Sequence, residues 1–161
     1  MDLDRIKQLV AYDPETGRFW WKVNCGRGRA GTVLGSEHSG GYRECKIDGE
    51  RFFLHRLAWL YFYGEMPKEQ IDHINGDRTD NRISNLRKAT QQQNSGNMKI
   101  RPNNKVGFKG VYKVNRTKPF QANIHINGKT KYLGLFDTAE EAHRAYLEAA
   151  KDAFGDYARS K

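Results

Sequence analysis

Acidic side chains are missing from one long stretch of this 161-residue chain: positions 81–136 hold no Asp or Glu. The same stretch holds 12 Lys or Arg, a formal +12, while residues 1–80 sum to −1 and residues 137–161 to −2. The chain's overall +9 therefore sits in one block. Weak general stickiness needs only scattered charge, whereas a concentrated block points to a polyanion held along one surface. Cysteine is also scarce. Cys25 and Cys45 are the only two, and no C-x-x-C occurs, which argues against a disulfide-stapled scaffold. Two reduced thiols are expected, with a zinc site as the alternative. Long apolar runs are absent. The longest, Leu57 to Phe62, is far too short to span a bilayer, so no membrane partner is expected. The N-terminus, Met-Asp-Leu-Asp, has no basic or apolar segment, so no secretory signal is expected and the cytoplasm is the predicted compartment.

Hydrophobic residues at 37% and aromatics at 12% suffice for a packed core. Helical spacing of Leu3, Ile6, Leu9 and Val10 predicts a helix over 2–11. Asp13-Pro14-Glu15-Thr16-Gly17 reads as a turn into a strand over 18–23, and residues 26–41, with six glycines, as a loop. A hairpin is predicted over 42–54, closed by Asp48-Gly49 in a type I′ turn, and a helix over 54–63 ended by Gly64. The predicted organisation is a domain over 1–98, a basic linker over 99–106 and a second small domain over 107–161.

The densest chemistry lies between Ile71 and Asn94. Asp72-His73 closes an apolar stretch just before an Asn75-Gly76 turn. Adjacent residues on a strand point to opposite faces, but at a strand end that alternation relaxes, letting one group bind a metal while the other addresses a water. Asp80-Asn81-Arg82 and Asn85-Leu86-Arg87 follow. Thr90-Gln91-Gln92-Gln93 then forms a capping box opening a helix that contains Asn94 and Asn97. Asp, Asn and Gly are also ordinary turn formers, so each residue alone is equally well a loop residue.

Taken together, this order resembles the HNH nuclease superfamily, in particular phage and intron-encoded endonucleases whose third motif residue is Asn. The resemblance extends to Tyr12–Gly17, Gly41-Tyr42 and His55–Trp59. It implies a ββα-metal core in which His73 is the general base, Asp72 a metal ligand, Asn85 the central catalytic Asn and Asn94 the metal ligand on the helix. Asn85 and Asn94 are preferred over Asn81 and Asn97 because their spacing puts Asn94 at the helix start. These residue types suit phosphodiester hydrolysis: neutral His73, with a reference pKa near ~6.5, takes a proton at cellular pH. Asp and Asn oxygens are hard ligands for Mg²⁺ or Mn²⁺. Asn85 is expected to tie its loop by hydrogen bonds to backbone, and His55, at the start of an apolar helix, to be structural. Arg82 and Arg87 are candidate phosphate contacts.

In the C-terminal region Phe120, Ala122, Ile124 and Ile126 alternate with Gln121, Asn123 and His125. Asn127-Gly128 closes a hairpin that sets His125 opposite Thr130, Asn123 opposite Tyr132 and Ala122 opposite Leu133. Lys131 falls on the apolar side. Thr138 caps a helix whose small stripe, Ala142, Ala145, Tyr146, Ala149, Ala150 and Ala153, lets it lie close on the sheet. The strings Phe108–Tyr112, Ala122–Ile124 and Tyr132–Ala142 resemble the Apetala-type DNA-binding domain of plant ethylene-response factors. The resemblance implies a three-stranded sheet that enters the major groove, with contacts at Lys109, Tyr112, Asn123, His125 and Tyr132. The plant domains rely on Arg and Trp there, so the plant target sequence does not carry over. Lys113, Arg116, Gln121 and Thr130 complete the expected DNA face, and Lys99, Arg101 and Lys105 the backbone-tracking linker.

The sequence thus predicts an α+β protein: an N-terminal HNH (ββα-metal) nuclease domain plus a small three-stranded antiparallel sheet packed on one helix. The expected activity is metal-dependent endonucleolytic cleavage of double-stranded DNA by a monomer, phage-encoded and acting in a bacterial host. The rival expectations are a DNA-binding regulator with a non-catalytic HNH domain, and an RNA-binding protein.

Overall fold

A computed structural model describes residues 2–100 and 103–159. The chain divides into two compact units, Met1–Ala89 and Thr90–Lys161.

In the first unit, helix α1 (Leu3–Leu9) is shorter than its apolar spacing predicts, because Val10 leaves it to begin strand β1 (Val10–Asp13). Val10 pairs with Trp21 of β2 (Arg18–Trp21), and that pairing wins over helix propensity at a β-branched residue. The turn between them is held by Asp13, whose carboxylate accepts from Glu15 N at 2.9 Å and Thr16 Oγ1 at 2.7 Å. The glycine-rich stretch expected to be only a loop contains a two-residue strand, β3 (Ser36–Glu37), on the edge of β4 (Arg43–Ile47). Strand β5 (Glu50–Phe53) completes that sheet. Asp48 and Gly49 both have positive φ, 45° and 88°, as a type I′ turn demands.

Helix α2 (Leu54–Tyr63) ends on Gly64 at φ 83°, as predicted. Arg56 does not point to solvent; its guanidinium donates to Pro67 O at 2.6 Å and Glu69 O at 3.2 Å, steering the chain into the next strand. Strand β6 (Gln70–His73) pairs antiparallel with β7 (Leu86–Ala89), setting Asp72 opposite Arg87 and His73 opposite Leu86. Ile6, Val10, Phe19, Ile47 and Leu57, all fully buried, belong to one core to which α1, α2 and all three sheets of the unit contribute.

In the second unit, helix α3 (Gln91–Gly96) opens on the predicted capping box. Gln93 N donates to Thr90 Oγ1 at 3.2 Å, and Thr90 N to Gln93 Oε1 at 2.8 Å. Strands β8 (Val111–Lys113), β9 (Phe120–Ile126) and β10 (Lys129–Phe136) form an antiparallel sheet with β9 in the centre. Asn127 and Gly128 close the hairpin at φ 51° and 74°. The expected pairing holds from Lys129 to Tyr132 and then changes: Ala122 lies opposite Gly134, not Leu133. The extra residue is a β-bulge. Leu133 faces the core as unbroken alternation would have it, and the bulge brings Phe136 opposite Phe120 on that same side, which unbroken alternation would have turned away. Helix α4 (Ala139–Phe154) covers that side through Ala142, Tyr146, Ala150 and Phe154. Lys131 pairs with Ile124 and stays exposed.

Candidate active site

Asp72 and His73 end β6, both buried, and they meet different groups. Asp72 Oδ2 accepts from Arg87 Nε at 2.9 Å across the ladder. The His73 ring packs among aromatic rings, 5.2 Å from His55 and 6.0 Å from Tyr42, centroid to centroid. Its Nε2 lies 3.3 Å from Asn81 Oδ1. Burial is the main force on His73 and pushes its imidazole below the ordinary value, against the opposing pull of Asn81, Asp72, Asp77 and Asp80. His73 is therefore neutral near pH 7, the state a general base needs.

The tautomer follows from the Asn81 amide. Asn81 Nδ2 donates to Thr79 O at 3.2 Å, which fixes which end of the amide is oxygen. An amide oxygen only accepts, so His73 Nε2 carries the proton and the lone pair lies on Nδ1.

The loop between the strands is a closed set of hydrogen bonds. Asn85 Oδ1 accepts from Asn75 N at 3.0 Å, and Asn85 Nδ2 donates to Asp80 O at 2.8 Å. Asn85 thus ties backbone to backbone across the loop. Asp80 takes a two-pronged contact from Arg82, with Nη2 to Oδ2 at 2.6 Å, and this pair holds its carboxyl down to about 2. Arg82 and Arg87, the two phosphate candidates of this unit, are each engaged by a carboxylate.

His55, predicted to be structural, stands in the first turn of α2 at 7% exposure, with its Nδ1 lacking a partner among the described residues. Burial, the His73 charge and Arg56 lower its imidazole to about 3. Tyr42 packs 5.0 Å from His55, and Arg78 lies 4.8 Å over the Tyr42 ring while donating to Gly40 O at 2.7 Å. Residue type and spacing alone assign no site role to Asn81, Tyr42 or Arg78. Asn81 sits in an Asp-Asn-Arg string with the composition of any turn, and its contact with His73 depends on how the loop closes.

Among the described residues, no three His, Cys, Asp or Glu side chains converge on a metal position. Asp72 contributes hard oxygen donors, which suit a cation that retains most of its water. Asn94 lies on α3 in the second unit, half-buried, with its N–H on Thr90 O at 3.0 Å.

Within the second unit a cavity of about 720 Å³ is lined by Lys99, Lys105, Lys109, Tyr112, Lys113, Asn123, His125 and Thr130, among others, and by no described carboxylate. Gln121 Nε2 donates to Asn123 Oδ1 at 3.1 Å, and His125 Nδ1 lies 3.2 Å from Thr130 Oγ1. Tyr112 and Tyr132 are exposed on the polar side of the sheet, and Arg116 is exposed beyond β8. Lys109 behaves differently: it is half-buried and its Nζ donates to Gly96 O at 2.5 Å, with burial and Arg159 lowering its ammonium to about 8. Arg101 lies outside the described residues.

The site's position in the chain coincides with a known family. Residues 52–95 match a family model described as HNH endonuclease. An uncharacterized HNH endonuclease of Acanthamoeba polyphaga mimivirus is 36% identical over 107 residues, covering 65% of this chain and 54% of that protein. Protein 3.8 of Escherichia phage T7 is 29% identical over 106 residues, covering 65% of this chain and 87% of that protein. The chain spans about half the length of the mimivirus relative. No solved structure matches the chain. Among the described residues, no helix is long and apolar enough to cross a membrane.

Proposed function

We propose that the protein is a metal-dependent DNA endonuclease. The observation that carries the reading is the buried His73 beside Asp72, uncharged and held by Asn81, inside the stretch that matches the HNH endonuclease family.

In this reading His73 Nδ1 takes a proton from the attacking water, and the hydroxide displaces the 3′ oxygen at phosphorus. Asn85 keeps the loop closed, so that the ring is presented in one orientation. Asp72 and Asn94 are the proposed metal ligands, Asn94 on its sequence spacing from Asn85. When bound, Mg²⁺ or Mn²⁺ would supply charge stabilisation at the leaving oxygen. Arg87 holds Asp72 in place before the cation arrives.

The C-terminal sheet is proposed to be an Apetala-type domain that grips the duplex. Support comes from a polar side bearing Tyr112, Gln121, Asn123, His125, Thr130 and Tyr132, and an apolar side covered by α4. Asn123 would read base edges, while Lys99, Lys105, Lys113 and Arg116, with Arg101, would contact phosphate. A phage-encoded protein acting in its host fits the similarity to the T7 protein.

One observation favours a second reading, a DNA-binding regulator: Asp72 is already neutralised by Arg87, as it would be in a domain that no longer binds a cation. Conversion of supercoiled plasmid to nicked or linear DNA in Mg²⁺, stopped by chelator, separates the two. Binding without conversion under any divalent metal supports the regulator.

A further inference from the structure

Asn81 is only 2% exposed and is held at three atoms. Its Nδ2 donates to Thr79 O, its Oδ1 faces His73 Nε2, and its backbone carbonyl accepts from Tyr12 Oη at 2.8 Å. The last bond joins residues 69 positions apart and comes from β1, at the far end of the unit's sequence. The turn after β1 presses on the same peptide. Gly17, at φ 69°, lies so close that a Cβ there would sit 2.5 Å from the Asn81 carbonyl carbon, and Ile83 N donates to Pro14 O at 3.1 Å. Both a positive φ and this approach require glycine at position 17. Tyr12 is itself fixed by stacking on Phe19, centroids 4.4 Å apart.

A buried amide restrained this fully is costly to order, and a loop whose only task is to turn needs none of it. Tyr12 and Gly17 fix the Asn81 peptide, and the bond to Thr79 O turns its amide so that an oxygen, and not an NH₂, lies opposite His73 Nε2.

We propose that Asn81 is a positioning residue of the nuclease reaction, holding the His73 ring with its proton on Nε2 and its lone pair on Nδ1, and that Tyr12 is the strut that holds Asn81. The proposal rests on the endonuclease reading with His73 as base. It gives the Tyr12–Gly17 segment a role at the site, although it lies outside the stretch that matches the family.

The test combines ring spectroscopy with single-turnover cleavage of plasmid DNA, both on the full chain. Long-range ¹⁵N–¹H correlation, assigned with His73→Gln, reports which ring nitrogen of His73 is protonated. Wild type should show a protonated Nε2 with a slowly exchanging proton, and Asn81→Ala should lose that protection. In Asn81→Ala the cleavage rate at saturating protein should fall roughly 10- to 100-fold, while the half-saturation for DNA stays unchanged. Tyr12→Phe removes one hydroxyl and serves if Asn81→Ala does not fold; it should show the same split, with a smaller loss. A proton on Nδ1 in wild type overturns the proposal, as does an undiminished rate in a folded Asn81 or Tyr12 variant. A wild type that binds DNA without cutting it contradicts the endonuclease reading, while the ring spectrum still decides the Asn81–His73 geometry.

Discussion

His73 Nε2 and Asn81 Oδ1 lie 3.3 Å apart, joining the end of β6 to a residue eight positions later in the loop that returns to β7. A histidine at a strand end has no inherent reason to keep one ring orientation. This one is held at its rim by an amide and packed in a T-shaped contact with His55, so the ring is both oriented and desolvated. Orientation gives the lone pair a fixed direction; desolvation keeps the ring uncharged.

That desolvation has a measurable consequence for stability. Folded His55 protonates only at about 3, chiefly because it is buried. In the unfolded chain it binds its proton near ~6.5. Between those values the unfolded state holds more protons, so stability rises with pH, is fully present above ~6.5 and is lost as pH falls toward the folded value. His73, lowered for the same reason, adds in the same direction. Urea midpoints should therefore drop steadily from about pH 7 to about pH 4. His55→Phe should flatten that slope.

The two arginine–carboxylate pairs of the β6–β7 loop region should differ sharply in worth. Arg87 and Asp72 are 19% and 5% exposed, whereas Arg82 and Asp80 are 49% and 13% exposed. Removing one partner of a buried pair strands a charge and costs about 3 kcal/mol, while a surface pair is worth roughly 0–1 kcal/mol. Denaturant titration should show Arg87→Ala losing clearly more stability than Arg82→Ala, whose half-exposed guanidinium is screened by solvent.

Lysines of the acid-free block should divide in the same manner. Lys109 donates to Gly96 O from a half-buried position, so Lys109→Ala should lose about 2 kcal/mol of stability, read by thermal melting. Lys113 is exposed, and Lys113→Ala should melt like wild type. In DNA binding the order reverses. Loss of Lys113 removes a proposed phosphate contact and should reduce the slope of log affinity against log salt by about 1.

Much of this architecture is legible in the sequence, because it depends on local rules. The Asp48-Gly49 and Asn127-Gly128 turns, the Thr90 capping box and the Gly64 helix end each follow from two to four adjacent residues. The alternation in β9 gives the sheet its two sides. What the sequence conceals is long-range. Val10 leaves its helix only because Trp21 is there to pair with it. The bulge at Leu133–Gly134 turns Phe136 to the core side, where it lies partly buried opposite Phe120. At the site, Asp72, His73 and Asn85 stand out by residue type and spacing, and Asn85 does tie the loop as its position suggests. Asn81 does not stand out, since its significance lies in an amide orientation fixed by Thr79 and in a bond from Tyr12. Arg82, Arg87 and Lys109 look like free cations in sequence, yet folding gives each a partner.

The central claim is that His73 is the base of a DNA-cutting site, and the most direct measurement compares wild type with His73→Ala on supercoiled plasmid in Mg²⁺ under single turnover, with DNA affinity measured alongside. The account predicts that wild type nicks or linearises the plasmid, and that His73→Ala binds DNA equally well but cuts at least about 100-fold more slowly. Equal cutting by both, or binding without cutting by wild type, would contradict it.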